Sequence, residues 1–213
     1  MMTEKNQIPS VRDIIARRKS TRNFDPVYQI PRNIQEDIIS AGLRAPSPKN
    51  RQPWYFYVLD DRKKQKKVSD LLKKQLGKLK SERMQQQRDT SDLDMAVYSA
   101  DIIADASMIV FVGYERDSSN EHGEKLNWGI TAQAFEVGDL QSIGAAVQNM
   151  LLVATELGIA SLWMCDVLYA HDEIRTLLKL NYPFVAAVAF GRAGVYQSSR
   201  KNISEKTTWL EEG

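Results

Sequence analysis

The chain has 213 residues, 43% of them apolar and 26% charged, enough to fill the core of one domain and too apolar for a disordered polymer. A single cysteine, Cys165, excludes a disulfide framework and a CxxC metal knot and suits a reducing compartment. The net charge of +2 hides an asymmetry: residues 62–88 hold eleven Lys or Arg against Asp70 and Glu82, a local +9 that leaves −7 for the rest.

In chain order, the opening MMTEKNQIPS lacks the apolar centre of a secretory signal. The longest apolar stretch, Leu151 to Ala170, is broken by Glu156, Gly158 and Asp166, so a cytoplasmic protein without a membrane segment is expected. Ser10 with Asp13 forms a capping pair that opens a first helix, with Val11, Ile14 and Ile15 on its inner face. A cationic run, Arg17-Arg18-Lys19-Ser20-Thr21-Arg22, follows. Asn33 and Glu36 form a second capping pair ahead of Ile34, Ile38 and Ala41. Pro46 and Pro48 stiffen a loop that offers Ser47, Asn50 and Gln52 as hydroxyl and amide groups. That loop leads into Trp54–Leu59, apolar on both faces as a central strand would be.

From Arg62 the pattern turns helical. Val68, Leu71, Leu72, Gln75, Leu76 and Leu79 form a buried stripe and leave the lysines in water. No aromatic side chain interleaves with these charges, so no stacking platform for bases exists and no nucleic-acid partner is expected. The polar run through Gln85-Gln86-Gln87 to Asp92 reads as a mobile tip. Residues 62–95 together read as a lysine-rich insertion in one domain spanning 1–213. Met108–Tyr114, Ile159–Val167 and Phe184–Phe190 complete the strands. Between them, Asp139–Leu157 is a long helix carrying Ile143, Ala146, Val147, Met150, Leu151 and Ala154, stopped by Gly158. A short helix covers Asp172–Leu180. Helices separating strands give an α+β sandwich.

The chemistry has few candidates. GxGxxG, P-loop, GxSxG and HExxH motifs are absent. His122 and His171 stand alone, so neither a metal site nor a catalytic triad is expected. Cys165, in an apolar strand, reads as a small core residue. Nothing equips the chain for hydrolysis, which favours a borrowed cofactor or a non-enzyme. Arg18, Lys19, Ser20 and Arg22 suit a phosphate cradle through charge-assisted contacts. The same cations also suit the negative end of the preceding helix. The loop at Ser47 and Asn50 serves equally as a ligand contact or as a rigid turn facing water.

These residues are arranged as in a known family. Arg18-Lys19-Ser20-Thr21-Arg22-Asn23-Phe24, then Ala45-Pro46-Ser47 with Asn50 and Gln52-Pro53-Trp54, resemble the FMN-dependent nitroreductases. Asp105-Ala106-Ser107, Gln148-Asn149-Met150-Leu151-Leu152, Leu157-Gly158-Ile159 before Trp163-Met164, and Ile174-Arg175 before Leu177-Leu178 fit the same pattern in order. The resemblance runs from Ile14 to Arg200. It implies a mostly antiparallel central sheet with helices on both faces and a homodimer with the long helix at its interface. FMN would lie between the subunits, taking a hydride at N5 from NADH or NADPH and passing electrons to a nitroaromatic, quinone or similar small acceptor.

By the same resemblance, Arg18, Lys19 and Ser20 would hold the phosphate and ribityl chain, and Arg200 would join them at the phosphate. Arg22 would lie near the pyrimidine edge and tune the flavin electrostatically, with no protein acid–base residue assigned. Pro46, Ser47 and Asn50 would reach the flavin from the second subunit, and Trp163, Met164 and Cys165 would run along the ring. Two departures stand out: Cys165 where the family often has glycine, and Gly191-Arg192-Ala193-Gly194 after the last strand, which makes Arg192 a rival to Arg200. A flavin-binding module without turnover, or a binder of anionic partners through residues 62–88, are the alternatives.

Overall fold

Alternation along one strand sets the architecture. In β2 (Met108–Tyr114) every residue is buried: Ile109 and Phe111 enter one core, Met108, Val110 and Val112 the other. A strand covered on both faces belongs in the middle of a sheet. The computed structural model, which describes residues 9–115 and 132–194 except the side chains of 132–135, puts it there. β2 pairs antiparallel with β1 (Trp54–Leu59) and with β4 (Phe184–Gly191), and β4 pairs antiparallel with β3 (Ala160–Met164), giving the order β1-β2-β4-β3.

Helices cover both faces, as expected. On one side lie α2 (Arg32–Leu43) and α5 (Ala132–Glu156), whose Ile38, Ile143, Val147, Met150 and Ala154 pack with Val110, Val188 and Phe190. The two helices approach closely at Gly42, where a Cβ would sit 2.9 Å from Met150 Cγ. The other side is covered by α3 (Arg62–Gln85), α4 (Ser91–Asp105) and α6 (His171–Leu178). Val68, Leu72, Leu76, Leu93, Ala96, Ala100 and Ile174 form that core with Phe111, Ala187 and Ala189. The first helix, α1 (Val11–Arg17), starts at the Ser10–Asp13 capping box: Ser10 Oγ accepts from Asp13 N at 3.2 Å and Asp13 accepts from Ser10 N at 3.0 Å.

Several expectations need correction. Only Ile14 of α1 is buried; Val11 and Ile15 are exposed. Pro31, not Asn33, takes the N-cap of α2, because its ring already holds φ at −55°, and Glu36 pairs instead with Arg32 at 3.0 Å. Among the described residues β1 is an edge strand, with Tyr55 and Val58 exposed. Helix α5 begins seven residues earlier than its apolar stripe suggests, and it ends before Gly158, whose φ of 73° suits glycine. Strand β3 stops at Met164, where a 3₁₀ turn, Asp166–Ala170, takes over.

The lysine-rich segment is two helices, and the second answers the charge of the first. Lys73 and Asp101 meet at 2.5 Å, Lys80 and Asp94 at 2.5 Å, and Arg83 and Asp92 at 2.7 Å. Such exposed pairs contribute little individually, roughly 0–1 kcal/mol, but they set the register of the hairpin. The residues between the helices close as a hydrogen-bonded turn, with Gln87 at φ 53° and Asp89 Oδ1 accepting from Ser91 N at 3.0 Å.

Arg62 joins the two ends of this hairpin. Its Nη1 donates to the carbonyls of Ala104, Asp105 and Ala106 at 3.1, 2.9 and 2.7 Å, closing the C-terminus of α4. Its Nη2 donates to Tyr28 O at 3.1 Å, tying in the segment before α2. Gln65 Nε2 adds a bond to Ala106 O at 2.9 Å. Burial lowers the pKa of the guanidinium, and nearby Asp105 and Asp25 oppose that shift. Losing these charge-assisted bonds costs about 2–3 kcal/mol. Arg62→Ala should therefore lower the melting temperature by about 4–12 °C, with Arg62→Lys recovering part of the loss, as read by thermal unfolding.

Candidate functional site

A cleft of about 280 Å³ opens at the β3 edge of the sheet, lined by Ile15, Arg18, Ser20, Gln148, Leu151, Ser161 and Trp163. Three elements build it. Helix α1 ends as Arg18 N bonds Ile14 O at 2.9 Å, and the chain then runs beside β3, with Ser20 bridging Ser161 in parallel and Thr21 N donating to Ser161 O at 2.9 Å. Strand alternation turns Ser161 and Trp163 to the cleft and Leu162 and Met164 to the opposite core. Gln148 and Leu151, three residues apart on α5, close the third side. Gly144, one turn before Gln148, lies beside the indole: a Cβ there would make ordinary contact with it, 3.7 Å from Trp163 Cη2. A guanidinium, two hydroxyls, an amide and an indole thus surround one space. That donor set suits an anionic, hydroxylated ligand with a planar ring.

Of the residues expected at the site, Arg18, Ser20 and Trp163 meet in this cleft. Lys19 and Arg22 flank it in sequence with exposed side chains. The Met164 side chain is 3% exposed and belongs to the far core, so only its backbone shares the cleft's strand. Cys165 is exposed just past the strand end, contrary to the core reading. Partial desolvation by its neighbours, and secondarily the charge of Asp166, push its thiol pKa up, which disfavours a nucleophilic thiolate. Arg192 is engaged elsewhere, 4.1 Å over the Tyr28 ring and 3.8 Å from Asp25. Arg200 and His122 lie outside the described residues. Sequence reasoning places Ile15 and Leu151 on apolar helix faces rather than at the site, quotes Gln148 only within a motif, and does not single out Ser161. The signals were present as helical spacing from Gly144 to Gln148 and as a two-residue step from Ser161 to Trp163.

Pro46, Ser47 and Asn50 are not in the cleft. Their loop enters β1, and two strands separate β1 from β3. The turn Pro48–Asn50 is left-handed in part: Lys49, Asn50 and Gln52 have φ of 53°, 55° and 52°, at about 1–3 kcal/mol each. Internal bonds hold this shape, with Gln52 N donating to Ser47 Oγ at 2.9 Å, Asn50 N to Ser47 O at 3.0 Å and Gln52 Nε2 to Asn50 Oδ1 at 3.2 Å. Outside the turn, Arg51 Nη2 meets Asp139 Oδ2 at 3.1 Å, and Tyr114 donates to the same oxygen at 3.2 Å.

Among the described residues no cluster of His, Cys, Asp or Glu could hold a metal ion, and no helix is long and apolar enough to cross a membrane.

Known proteins share this fold. A BluB-like flavoprotein from Clostridium difficile 630 superposes with a TM-score of 0.76 at 24% identity, covering 95% of this chain and all of that one. A nitroreductase with bound FMN from Desulfitobacterium hafniense DCB-2 superposes with a TM-score of 0.73 at 21% identity over 99% of this chain and 100% of its own. At these identities the likeness is one of fold. A 4-nitrobenzoate reductase from a Nocardioides species is 38% identical over 60 residues, which make up 28% of this chain and only 24% of that relative. The Nitroreductase family profile matches residues 15–192, nearly the whole described fold and the complete cleft. The chain belongs to the Nitroreductase family.

Proposed function

We propose that this chain is an FMN-dependent oxidoreductase that uses NADH or NADPH to reduce a nitroaromatic, quinone or similar small acceptor, and that it works as a homodimer. The observation that carries the reading is the convergence of Arg18, Ser20, Gln148, Ser161 and Trp163 on one cleft in a fold of this family. The donor set fits FMN. A guanidinium and a hydroxyl suit a phosphate dianion, Ser161 and Gln148 suit ribityl hydroxyls, and the half-exposed indole suits a planar ring. Arg200 would add to the phosphate end, with Lys19 as a neighbouring positive charge.

When bound, FMN supplies two-electron chemistry at N5 between the nicotinamide and the acceptor. The protein's share is binding and orientation. Arg18 and Ser20 anchor the phosphate, and Trp163 limits movement of the ring. The backbone at Met164 and Cys165 would offer an N–H to the isoalloxazine. Arg22 would lie near the pyrimidine edge, where its positive charge would favour reduction electrostatically. Pro46, Ser47 and Asn50 act on the flavin of the second copy. Their place at the opposite sheet edge from the cleft supports that reading, because it separates the two residue sets within one chain. The alternative of a basic anion-binding surface loses weight, since α4 supplies acids to Lys73, Lys80 and Arg83. A flavin module without turnover is separated by assaying NAD(P)H oxidation with a quinone.

Arg18→Ala should weaken FMN by about 10- to 150-fold, the equivalent of about 1.5–3 kcal/mol for one charge-assisted contact. Riboflavin, which lacks the phosphate, should bind the parent comparably weakly. Fluorescence titration reads both, and parent-like FMN affinity in the variant would move the phosphate elsewhere. In steady state, double-reciprocal plots at several acceptor concentrations should be parallel, because nicotinamide and acceptor use the same cleft in turn. Intersecting lines would contradict a shared cleft.

A further inference from the structure

The turn from Ser47 to Gln52 has a shape fixed by its own hydrogen bonds and a position fixed by something else. Its internal bonds tie Ser47, Pro48, Asn50, Arg51 and Gln52 to one another and would survive if the whole turn swung as a unit. Among the described residues, the packing of Pro48 on α5 and the pairing of Arg51 with α5 oppose such a swing. The Pro48 ring packs over Gly138 of α5, where a Cβ would lie 3.4 Å from Pro48 Cγ. One residue further along α5, Asp139 takes the Arg51 guanidinium at 3.1 Å. The Asp139 side chain is 2% exposed and that of Arg51 18% exposed, so water cannot readily replace either partner. The Tyr114 hydroxyl, from the last residue of β2, donates to the same carboxylate oxygen at 3.2 Å.

We propose that the Arg51–Asp139 ion pair, backed by Tyr114, is the positioning device that aims Ser47 and Asn50 at the flavin of a second copy of this chain. This rests on the reading above that the turn reaches the partner's FMN. The energetics favour a positioning role. Desolvating a carboxylate and a guanidinium consumes most of what their attraction returns, so a buried pair is a poor source of net stability. Its directional, bidentate-capable geometry is what an apolar contact cannot reproduce. The residues it steadies are the left-handed Lys49, Asn50 and Gln52, a conformation that persists only where the surroundings over-determine it. Arg51 and Asp139 are positioning residues: neither lines the cleft of its own protomer.

The test follows FMN release on serial dilution of the purified holoprotein, read by recovery of flavin fluorescence, alongside thermal unfolding of the same samples. Arg51→Met combined with Asp139→Asn removes both charges of the pair together. The expected result is FMN affinity at least tenfold weaker, with the unfolding temperature within a few degrees of the parent and Arg51→Lys intermediate. Affinity within twofold of the parent, while Asn50→Ala weakens FMN, would overturn the positioning role and leave the shared site intact. Parent affinity in both Asn50→Ala and Ser47→Ala would overturn the reading of the turn as a flavin contact, and the positioning role with it. If the double variant fails to fold, Arg51→Lys alone decides: weaker FMN supports the role, and unchanged affinity overturns it.

Discussion

The long helix α5 spans the sheet, and its two ends serve different purposes. Near its beginning, Gly138 and Asp139 receive the Pro48–Arg51 turn at the β1 side; farther along, Gln148 and Leu151 form a wall of the cleft at the β3 side. Ten residues separate Gly138 from Gln148, about 15 Å at helical rise. Seen across the sheet, the strand order β1-β2-β4-β3 puts β1 and β3 roughly three strand spacings of about 4.8 Å apart. The donors that suit a phosphate and ribityl chain therefore sit apart from the amide and hydroxyl groups that the family resemblance assigns to the same flavin. In the proposed homodimer, a second copy related by a two-fold axis running across α5 would reunite them.

The opposite face of the sheet explains why a basic segment need not be a binding arm. The stripe of Val68, Leu72 and Leu76 commits α3 to the core, and Leu93, Ala96 and Ala100 commit α4 beside it. Arg62 then closes the pair at its base. Polar contacts carry the hairpin toward the cleft: Ser99 Oγ donates to Asp166 at 2.5 Å, and Tyr169 donates to Asp92 at 2.8 Å. Both partners lie in the 3₁₀ turn that follows Cys165, so the hairpin steadies the chain leaving β3. Packing on one face of the sheet is thereby coupled to the geometry of the site on its edge.

What was legible in the sequence was periodicity. The stripe on α5, the apolar strand β2 and the capping box at Ser10 followed from spacing and capping chemistry, and so did the order of elements except for α4, which reads in the sequence as part of a polar tip. Strand position was not legible, because Trp54–Leu59 is as apolar as a central strand and only pairing makes β1 an edge. For the same reason Met164 joined the flavin candidates: a motif names residues, while alternation decides that Trp163 faces the cleft and Met164 the core. Arg51 and Asp139 left no trace at all. They lie 88 residues apart, and an ion pair over that separation has no local signature.

The central claim, one flavin site built from two copies, is tested most directly by a mixed dimer. Arg18→Ala and Asn50→Ala chains, co-expressed with different affinity tags and purified through both, each carry one damaged half of the site. If the site is shared, the mixed dimer holds one site with both defects and one with neither, and it should bind one FMN per dimer at parent affinity. The two single-variant dimers should hold none that tight. A mixed dimer whose every site is as weak as those of the single variants would contradict the account and confine the flavin to one chain.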